Sequence, residues 1–238
     1  MATAITDIPT AEHATERGAA VVAAYFGALL PRLAEHAQAM ATTLAGHDRG
    51  TLTASRIDDL IAPHARDILD HPDEPVYGAG FIAAMDLASD TPSHLAWWQG
   101  ADRRKLVFPA QSVKQAIDYR ELEWFRVPST TGRPHVAGPY VDYLCSDEYT
   151  MTAAAPVVVD GDFVGVAGLD VLVDTVERRL TPPLRALGVP LILVNGVGRV
   201  LVSTDPGFAA GDVLRPGAVE VAAQRRCTSV DLDVIAVA

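Results

Sequence analysis

The strongest hydrophobic pattern lies near the start of the chain, where apolar residues recur every three or four positions from about Thr15 to Leu44. This spacing predicts one face of a long helix, which Gly46 would end. Pro31 lies inside the run, so the pattern allows one kinked helix or two shorter ones. The apolar face either packs on a sheet or forms the seam of a homodimer; its residues are Val22, Phe26, Leu29, Leu30, Leu33, Ala37, Met40 and Leu44.

A second helix is predicted over residues 51–69, with Thr53 or Ser55 as its cap and two aspartates in its early turns. Three short apolar runs follow, and their length favours strands. They lie at Gly78–Leu87, His94–Gln99 and Leu106–Pro109.

A short helical or irregular link is predicted at Asp118–Phe125. The next segment, Val127–Pro139, is rich in Gly, Pro, Ser and Thr, which is typical of a loop that acts as a lid.

The second half of the chain contains hairpin patterns. Asp160-Gly161 separates the apolar runs Tyr149–Val159 and Phe163–Asp170, and Asp-Gly is a favoured two-residue hairpin turn. A helix over Asp174–Leu187, interrupted by two prolines, precedes a second hairpin and a final strand near residues 230–237. The patterns predict an α+β fold with antiparallel sheets.

Composition narrows the possible partners. The 238 residues are 49% hydrophobic and 21% charged, which suits one globular domain or two small ones. The net charge of −11 and a pI near 4.9 disfavour nucleic acid or an anionic membrane as partner. The N-terminal residues do not resemble a secretory signal, and the apolar stretches are predicted to be too short to cross a bilayer. We therefore expect a cytoplasmic protein in which Cys145 and Cys227 are unlinked thiols.

Common enzymatic motifs are absent from the sequence. It contains no Gly-x-Ser-x-Gly elbow, phosphate loop or His-Glu-x-x-His zinc pattern. His64 and His71 are seven residues apart, but no third metal ligand lies nearby. We therefore predict no catalytic residue, cofactor or metal site.

The most informative residues are aromatic rings and carboxylates that lie on or beside the predicted strands. Such rings and acids are the material of a pocket for a small cation, because a cation is attracted both to a ring face and to a carboxylate. The predicted ligand-binding residues are Tyr119, Trp124, Phe125, Tyr140, Asp142 and Asp170.

These segments resemble the Cache family of ligand sensors. Double-module members have a run like D-x-x-x-R-x-W-[YF], then P-Y-x-D, then G-V-x-G-x-D. The matching residues here are Trp124, Phe125, Pro139, Tyr140, Asp142, Gly165, Val166, Gly168 and Asp170. The resemblance implies a PAS-like antiparallel sheet with a long N-terminal helix and a second, truncated PAS-like module, in a soluble stand-alone relative. We expect the chain to divide into three parts. Residues 1–50 form the N-terminal helix, residues 51–180 form the ligand-binding module, and residues 181–238 form the smaller, truncated module.

The resemblance also implies a ligand. In the amino-acid-binding branch of the family, an arginine two residues before the tryptophan binds the ligand carboxylate, and the final aspartate binds the amino group. Leu122 replaces that arginine here. We therefore expect a small organic amine as ligand, with a separate protein reading the signal.

Three alternatives remain open at this stage. Arg120 or Arg126 could supply the missing charge for an amino acid. An enzyme could use Asp170 or Asp142 as a base, and a dimerisation module would bind no ligand.

Overall fold

The computed structural model describes residues 10–71, 76–107, 118–143, 146–228 and 230–238. The chain forms two compact units, each with its own antiparallel sheet. The larger unit is Ala28–Leu172, and the smaller one combines the N-terminal helix up to Gly27 with Val173–Ala238. The predicted α+β architecture with a long N-terminal helix and a smaller second module is confirmed.

The helices follow the predicted order. Helix α1 continues through Pro31 without a break, so the reading as two shorter helices is wrong. The side chain of Thr53 caps α2 by accepting a hydrogen bond from the backbone N–H of Arg56. The bounds are α1 Ala11–Ala45, α2 Ala54–Leu69, α3 Glu123–Thr131 and α4 Val173–Arg185.

The sheet of the larger unit has the strand order β3-β2-β1-β6-β5-β4, with every neighbouring pair antiparallel. The long β5–β6 hairpin turns at Asp160 and Gly161, whose φ values of 54° and 90° suit a type I′ turn. The strands are β1 Gly78–Ala83, β2 Leu95–Gln99, β3 Arg104–Lys105, β4 His135–Val141, β5 Tyr149–Val159 and β6 Asp162–Leu172. The third strand was predicted two residues too late, and residues 108–109 of that prediction lie outside the described residues.

The predicted lid over Val127–Pro139 is wrong. Helix α3 continues to Thr131 and β4 begins at His135, which leaves only three residues between them. The polar residues that suggested a loop instead bond to the helix itself, since the hydroxyls of Thr130 and Thr131 each donate to a carbonyl oxygen one turn earlier at 2.8 Å.

Helix α2 packs on β1 and β2 of the larger sheet, beside an ion cluster in which Asp58 and His94 are buried. The Asp58 carboxylate lies 2.9 Å from His94 Nε2 and also contacts the ammonium of Lys105. Burial opposes the ionisation of Asp58, but the hydrogen bonds from His94 and Lys105 lower its pKa below the ordinary value. Because side chains alternate between the faces of a strand, His94 and its neighbour Leu95 lie on opposite faces. The other face therefore remains for α3 and the rings that follow Asp118.

In the smaller unit, four strands take the order β8-β7-β10-β9. They are β7 Leu191–Asn195, β8 Val200–Ser203, β9 Val221–Arg226 and β10 Leu232–Val237. Helix α1 approaches this sheet at Gly18, where a Cβ atom would lie 3.0 Å from the Val234 side chain. The opposite face carries a cluster of Ile192, Val194, Val200 and Ile235.

The division into units differs from the one expected from the sequence. The structure divides the chain after Gly27 and after Leu172, whereas the sequence suggested residues 50 and 180. The apolar periodicity of α1 is continuous across Gly27, and α4 follows β6 directly, so neither boundary has a signal in the local pattern.

The apolar face of α1 is already covered in the single chain. Seven of the eight residues that suggested a dimer are buried, and Leu30 is partly buried. A homodimer through this helix stays a prediction without support from an exposed apolar face.

By length and composition alone, α1 could also cross a membrane, because it contains an 18-residue window of mean hydropathy 1.2. The estimate that the apolar stretches are too short is therefore wrong. Core helices of soluble proteins meet the same criterion, so this property does not assign α1 to a membrane. The predicted location in the cytoplasm stays a prediction.

We predict that Gly165→Ala disrupts the larger sheet. Gly165 has φ +151°, and a Cβ atom there would lie 2.3 Å from the carbonyl oxygen of Ile82 and 2.7 Å from the Phe81 ring. The free energy of unfolding, measured by urea denaturation, should fall by about 3 kcal/mol. Gly27→Ala is the control, because a Cβ on this helical glycine meets nothing within 4 Å. It should stabilise the protein by about 0.5–1 kcal/mol, and equal effects of the two changes would contradict this account.

Candidate functional site

A small cavity lies on the face of the larger sheet that carries α3. Its volume is about 20 Å³, which is room for little more than one water molecule. Five of the six residues predicted to bind a ligand line it, and Phe125 does not. The described lining residues are Ile82, Leu95, Trp97, Tyr119, Trp124, Tyr140, Asp142, Thr152 and Asp170.

Two glycines allow Trp97 to form one wall. A Cβ atom at Gly78 would lie 2.7 Å from the indole nitrogen of Trp97, and one at Gly168 would lie 3.1 Å from its ring. Strand β1 pairs Gly78 directly with Asp170. The indole therefore lies close against the sheet beside Asp170, and Gly168 of the Gly-Val-Ala-Gly-Leu-Asp run has a packing role.

A capped turn supplies two further rings. The side chain of Asp118 accepts from the backbone N–H of Arg120 and so begins the 3-10 helix Tyr119–Glu121. Helix α3 follows at once and buries Trp124 in its first turn. The ring centroids of Tyr119 and Trp124 are 6.1 Å apart, which is within the range of aromatic pairs.

Tyr140 and Asp142 reach the cavity from β4. The register between β4 and β5 shifts between Ala137 and Tyr140, where Gly138 has φ +116°. Such a bulge changes the direction in which the following side chains project. The Tyr140 hydroxyl contacts the hydroxyl of Thr152 on β5, and Asp142 is 5% exposed just after β4 ends.

Asp170 is the most unusual group in the cavity. It is 4% exposed, and its Oδ1 accepts a hydrogen bond of 2.6 Å from the Thr152 hydroxyl. Burial raises the pKa of Asp170 to about 8; the bond from Thr152 opposes this rise, and the charge of Asp142 adds to it. In the described part of the chain, Asp170 forms no ion pair, unlike the buried Asp58. A cation that entered the cavity could therefore pair with the carboxylate of Asp170, which has no cationic partner among the described residues.

Phe125 does not line the cavity, and its predicted role in ligand binding stays a prediction. Its ring packs edge-on against Phe163, with centroids 5.5 Å apart, and it belongs to the apolar cluster around the cavity. Its ring also lies edge-on to that of Trp124, with centroids 6.3 Å apart, so Phe125 contacts a lining residue without lining the cavity itself.

The two arginines considered for a ligand carboxylate also lie elsewhere. Arg120 forms a double hydrogen bond with Asp118 at 2.8 and 2.6 Å and is exposed, as is Arg126. Leu122 packs against the apolar cluster instead. None of the described residues that line the cavity is a lysine, arginine or histidine.

Four lining residues were missed by the sequence reasoning, namely Ile82, Leu95, Trp97 and Thr152. Trp97 and Trp98 are adjacent on β2, so their side chains project to opposite faces of the sheet, and the sequence alone does not decide which of them lines the cavity. Thr152 had no signal, because counting back from the Asp160-Gly161 turn places Met151 opposite Asp170. A register shift between Val157 and Val158 brings Thr152 there instead.

Comparison with known proteins gives the family context. Residues 102–178 match the model of the first PDC sensor domain of methyl-accepting chemotaxis protein-like proteins. A 90-residue stretch is 31% identical to the methyl-accepting chemotaxis protein TlpQ of Pseudomonas aeruginosa; it makes up 37% of this chain and only 12% of that protein.

Solved structures match over nearly the whole length of the chain. The ligand-binding domain of the Pseudomonas fluorescens chemoreceptor CtaA, in complex with L-valine, is 14% identical with a TM-score of 0.61, and 94% of each chain is covered. Methyl-accepting chemotaxis protein X is 16% identical, has a TM-score of 0.59, and is aligned over 94% of this chain and 96% of its own. The chain has a Cache-type fold. The similarity to the Cache family, which the ordered motifs indicated, is confirmed.

The Cache-type match and the cavity overlap in the sequence. The matched residues 102–178 include Tyr119, Trp124, Tyr140, Asp142, Thr152 and Asp170. The remaining lining residues belong to β1 and β2, which precede the matched segment.

We predict that Asp170 destabilises the protein as the pH rises. The folded-state pKa of about 8 lies above the value near 3.9 of an unfolded aspartate, so the carboxyl is protonated only in the folded state between these pH values. Its contribution to stability is complete below about pH 4 and is lost by about pH 8, at up to about 1.4 kcal/mol per pH unit. Urea unfolding should show wild type losing stability relative to Asp170→Asn across this window. Parallel pH profiles of the two proteins would contradict the assignment.

Proposed function

We propose that this chain is a ligand-sensing module whose cavity binds a small organic amine through Asp170. The observation that carries the proposal is the buried carboxylate of Asp170, which faces aromatic rings and has a hydroxyl, but no described cation, as its partner. An ammonium group would supply the missing positive charge. A charge-assisted hydrogen bond of this kind contributes roughly 1.5–3 kcal/mol.

The rings support the same class of ligand. Trp97, Trp124 and Tyr119 line the cavity beside the carboxylates. A cation on the face of such a ring gains about 0.5–2 kcal/mol, most when it is removed from water. The cavity volume fits an ammonium group, which is about as large as a water molecule, so the remainder of a ligand requires the ring-bearing segment from Tyr119 to Trp124 to move outward.

This movement would be the signal. Tyr119 and Trp124 precede or begin helix α3, and α3 leads directly into β4. A ligand that shifts the rings therefore shifts an element that is bonded to the sheet, and a separate output protein would recognise the changed surface.

An amino acid is the main alternative ligand. The chemoreceptor PctB of Pseudomonas aeruginosa, in complex with L-Arg, has the same fold with a TM-score of 0.54 and 17% identity over 94% of this chain and 85% of its own. Here Leu122 stands where the resemblance expects an arginine, and Arg120 is engaged by Asp118. A ligand carboxylate without a charged partner would cost several kcal/mol when buried.

We predict that amines bind more tightly than the matching amino acids. Calorimetry would compare agmatine with L-arginine, ethanolamine with L-serine, and isobutylamine with L-valine. At least one amine should bind at least 10-fold more tightly than its partner, because the pair differs only in the carboxylate. If every amino acid binds more tightly than its amine, the proposed ligand class is wrong.

At pH 8, Asp170→Asn should reduce amine binding by about 10- to 100-fold, because the variant removes the anion and keeps the side-chain volume. Asp160→Asn is the matched control, since Asp160 is exposed in the β5–β6 turn and Asn also tolerates its positive φ. Analysis of the same mixtures for chemical change tests the enzyme alternative with Asp170 or Asp142 as base. Wild-type affinity in Asp170→Asn, or turnover of any amine, would contradict the proposal.

Amine affinity should rise with pH. Since an amine remains protonated to about pH 10, the group that changes charge near neutrality is Asp170, whose pKa is about 8. Affinity measured at constant ionic strength should increase about 10-fold per unit from pH 6 to pH 8 and then level off. An affinity that is constant across this range would show that the ligand does not bind to ionised Asp170.

A further inference from the structure

The smaller unit contains a second and much larger cavity, on the face of its sheet that is opposite to helix α1. Its volume is about 430 Å³. Pockets for small molecules typically have volumes of about 300–1,000 Å³. All of its described lining residues lie between Val194 and Ile235, so this cavity belongs to the smaller unit alone.

A strap of residues 215–219 forms one side of this cavity. The backbone N–H of Leu214, just before the strap, donates to the carbonyl of Gly198 at 2.8 Å, and the carbonyl of Glu220, just after it, accepts from Ala238 at 2.9 Å. In the described part of the chain, no backbone hydrogen bond joins the strap itself to a strand. The chain is therefore tied down on both sides of the strap and not within it, which leaves space between the strap and the strands.

Apolar side chains form the floor of this space. Val194 on β7 and Ile235 on β10 belong to the buried cluster of the sheet face, and Val219 and Val221 add to the lining. None of the described lining residues is aromatic. The cavity therefore suits an apolar group, and it lacks the ring faces that would attract a cation.

The charged groups at the cavity determine which polar group it suits. Asp233 is 8% exposed, and its carboxylate lies 2.9 Å from the guanidinium of Arg226, which also contacts Asp231. Arg215 on the strap is exposed, and its side chain makes no ion pair or hydrogen bond with a described residue. The same holds for the side-chain amide of Gln224 on β9. A ligand would thus meet a carboxylate that is already paired and a guanidinium that is not.

We propose that the smaller unit has a second binding site, for a small carboxylate with an apolar body. The carboxylate pairs with the guanidinium of Arg215, whose planar fork matches a carboxylate through two parallel hydrogen bonds. The apolar body covers Val194 and Ile235. The net charge of −11 opposes such a ligand only weakly, because solvent ions screen exposed charges over about 8 Å at physiological ionic strength. This site goes beyond the amine site and has the opposite charge preference.

The test is an NMR titration of the full chain with labelled methyl groups. Hexanoate, hexanamide and hexylamine have the same number of carbon atoms and differ in charge. Hexanoate should shift the signals of Val194, Val221 and Ile235, and not those of Ile82 and Leu95 in the larger unit. It should bind about 5-fold more tightly than either of the other two compounds, which is the effect of one partly exposed ion pair.

The apolar part of the site is tested with a shorter carboxylate. Butanoate has two CH₂ groups fewer than hexanoate. If the chain of the ligand is buried on the sheet, hexanoate should bind about 4-fold more tightly for each added CH₂ group. Equal affinities of butanoate and hexanoate would show that the apolar floor is not used and would overturn the proposed ligand class.

Two variants separate the charge from the cavity. Arg215→Gln should weaken hexanoate about 5-fold and leave hexanamide unchanged. Arg225→Gln is the matched control, because Arg225 is also exposed and forms no ion pair with a described residue, yet it does not line the cavity. Val221→Phe should remove binding of both compounds by filling the cavity, and the fold should tolerate it since Val221 is 49% exposed on the edge strand β9.

Several results would overturn the proposal. They are wild-type affinity for hexanoate in Arg215→Gln, tighter binding of hexylamine than of hexanoate, and no shift of the Val194 and Ile235 signals at about 20 mM hexanoate, which excludes millimolar binding. Signals of Val221 that shift on dilution without any ligand would show that a second copy of the chain covers the cavity, and would also overturn it. None of these outcomes depends on whether the larger unit binds an amine.

Discussion

The burial of one carboxylate on a central strand is the constraint on which the site depends. Asp170 lies near the end of β6, among apolar residues and between two other strands, where water is largely excluded. Removing a charge from water is costly unless another charge or several hydrogen bonds replace it. Asp58 shows how this chain stabilises a buried carboxylate, through His94 and Lys105 together. Asp170 has the Thr152 hydroxyl instead, which explains why the pKa of one acid is lowered and that of the other is raised.

The structure around Asp170 keeps a space open next to it. Gly78 and Gly168 have no side chains, so the indole of Trp97 can lie against the strands and form a wall. Register shifts in β4 and β5 then bring Tyr140 and Thr152 to the same place. The glycines and the register shifts make the sheet locally irregular. Each of them brings a polar or aromatic group to the cavity. The arrangement is consistent with a site where a ligand, rather than the protein, completes the charge balance.

Much of the fold was predictable because its signals are local. The apolar periodicity of α1, the Asp-Gly turn and the apolar strands each depend on neighbouring residues. The ordered motifs in addition indicated the Cache family. The lid over Val127–Pro139 was wrong for a related reason: Ser and Thr residues favour loops in isolation, and their bonds back to α3 appear only once the helix has formed.

The site was predictable only in part. Tyr119, Trp124, Tyr140, Asp142 and Asp170 were identified by residue type and by their place near the Cache-like motifs, since a pocket for a cation needs rings and acids. Thr152 was not, because its position opposite Asp170 depends on a one-residue shift in β5–β6 pairing that no local pattern shows. Phe125 lies outside the lining although its ring contacts that of Trp124, because adjacency along the chain does not reveal which residues of a helix reach the cavity.

The most direct measurement of the central claim is the distance from a bound ammonium nitrogen to the carboxylate of Asp170, in a crystal structure of the chain with the tightest-binding amine. The account predicts a separation of about 2.7–2.9 Å, with the nitrogen also near the face of a cavity-lining ring. An amine bound with its nitrogen away from Asp170, or outside this cavity, would contradict it.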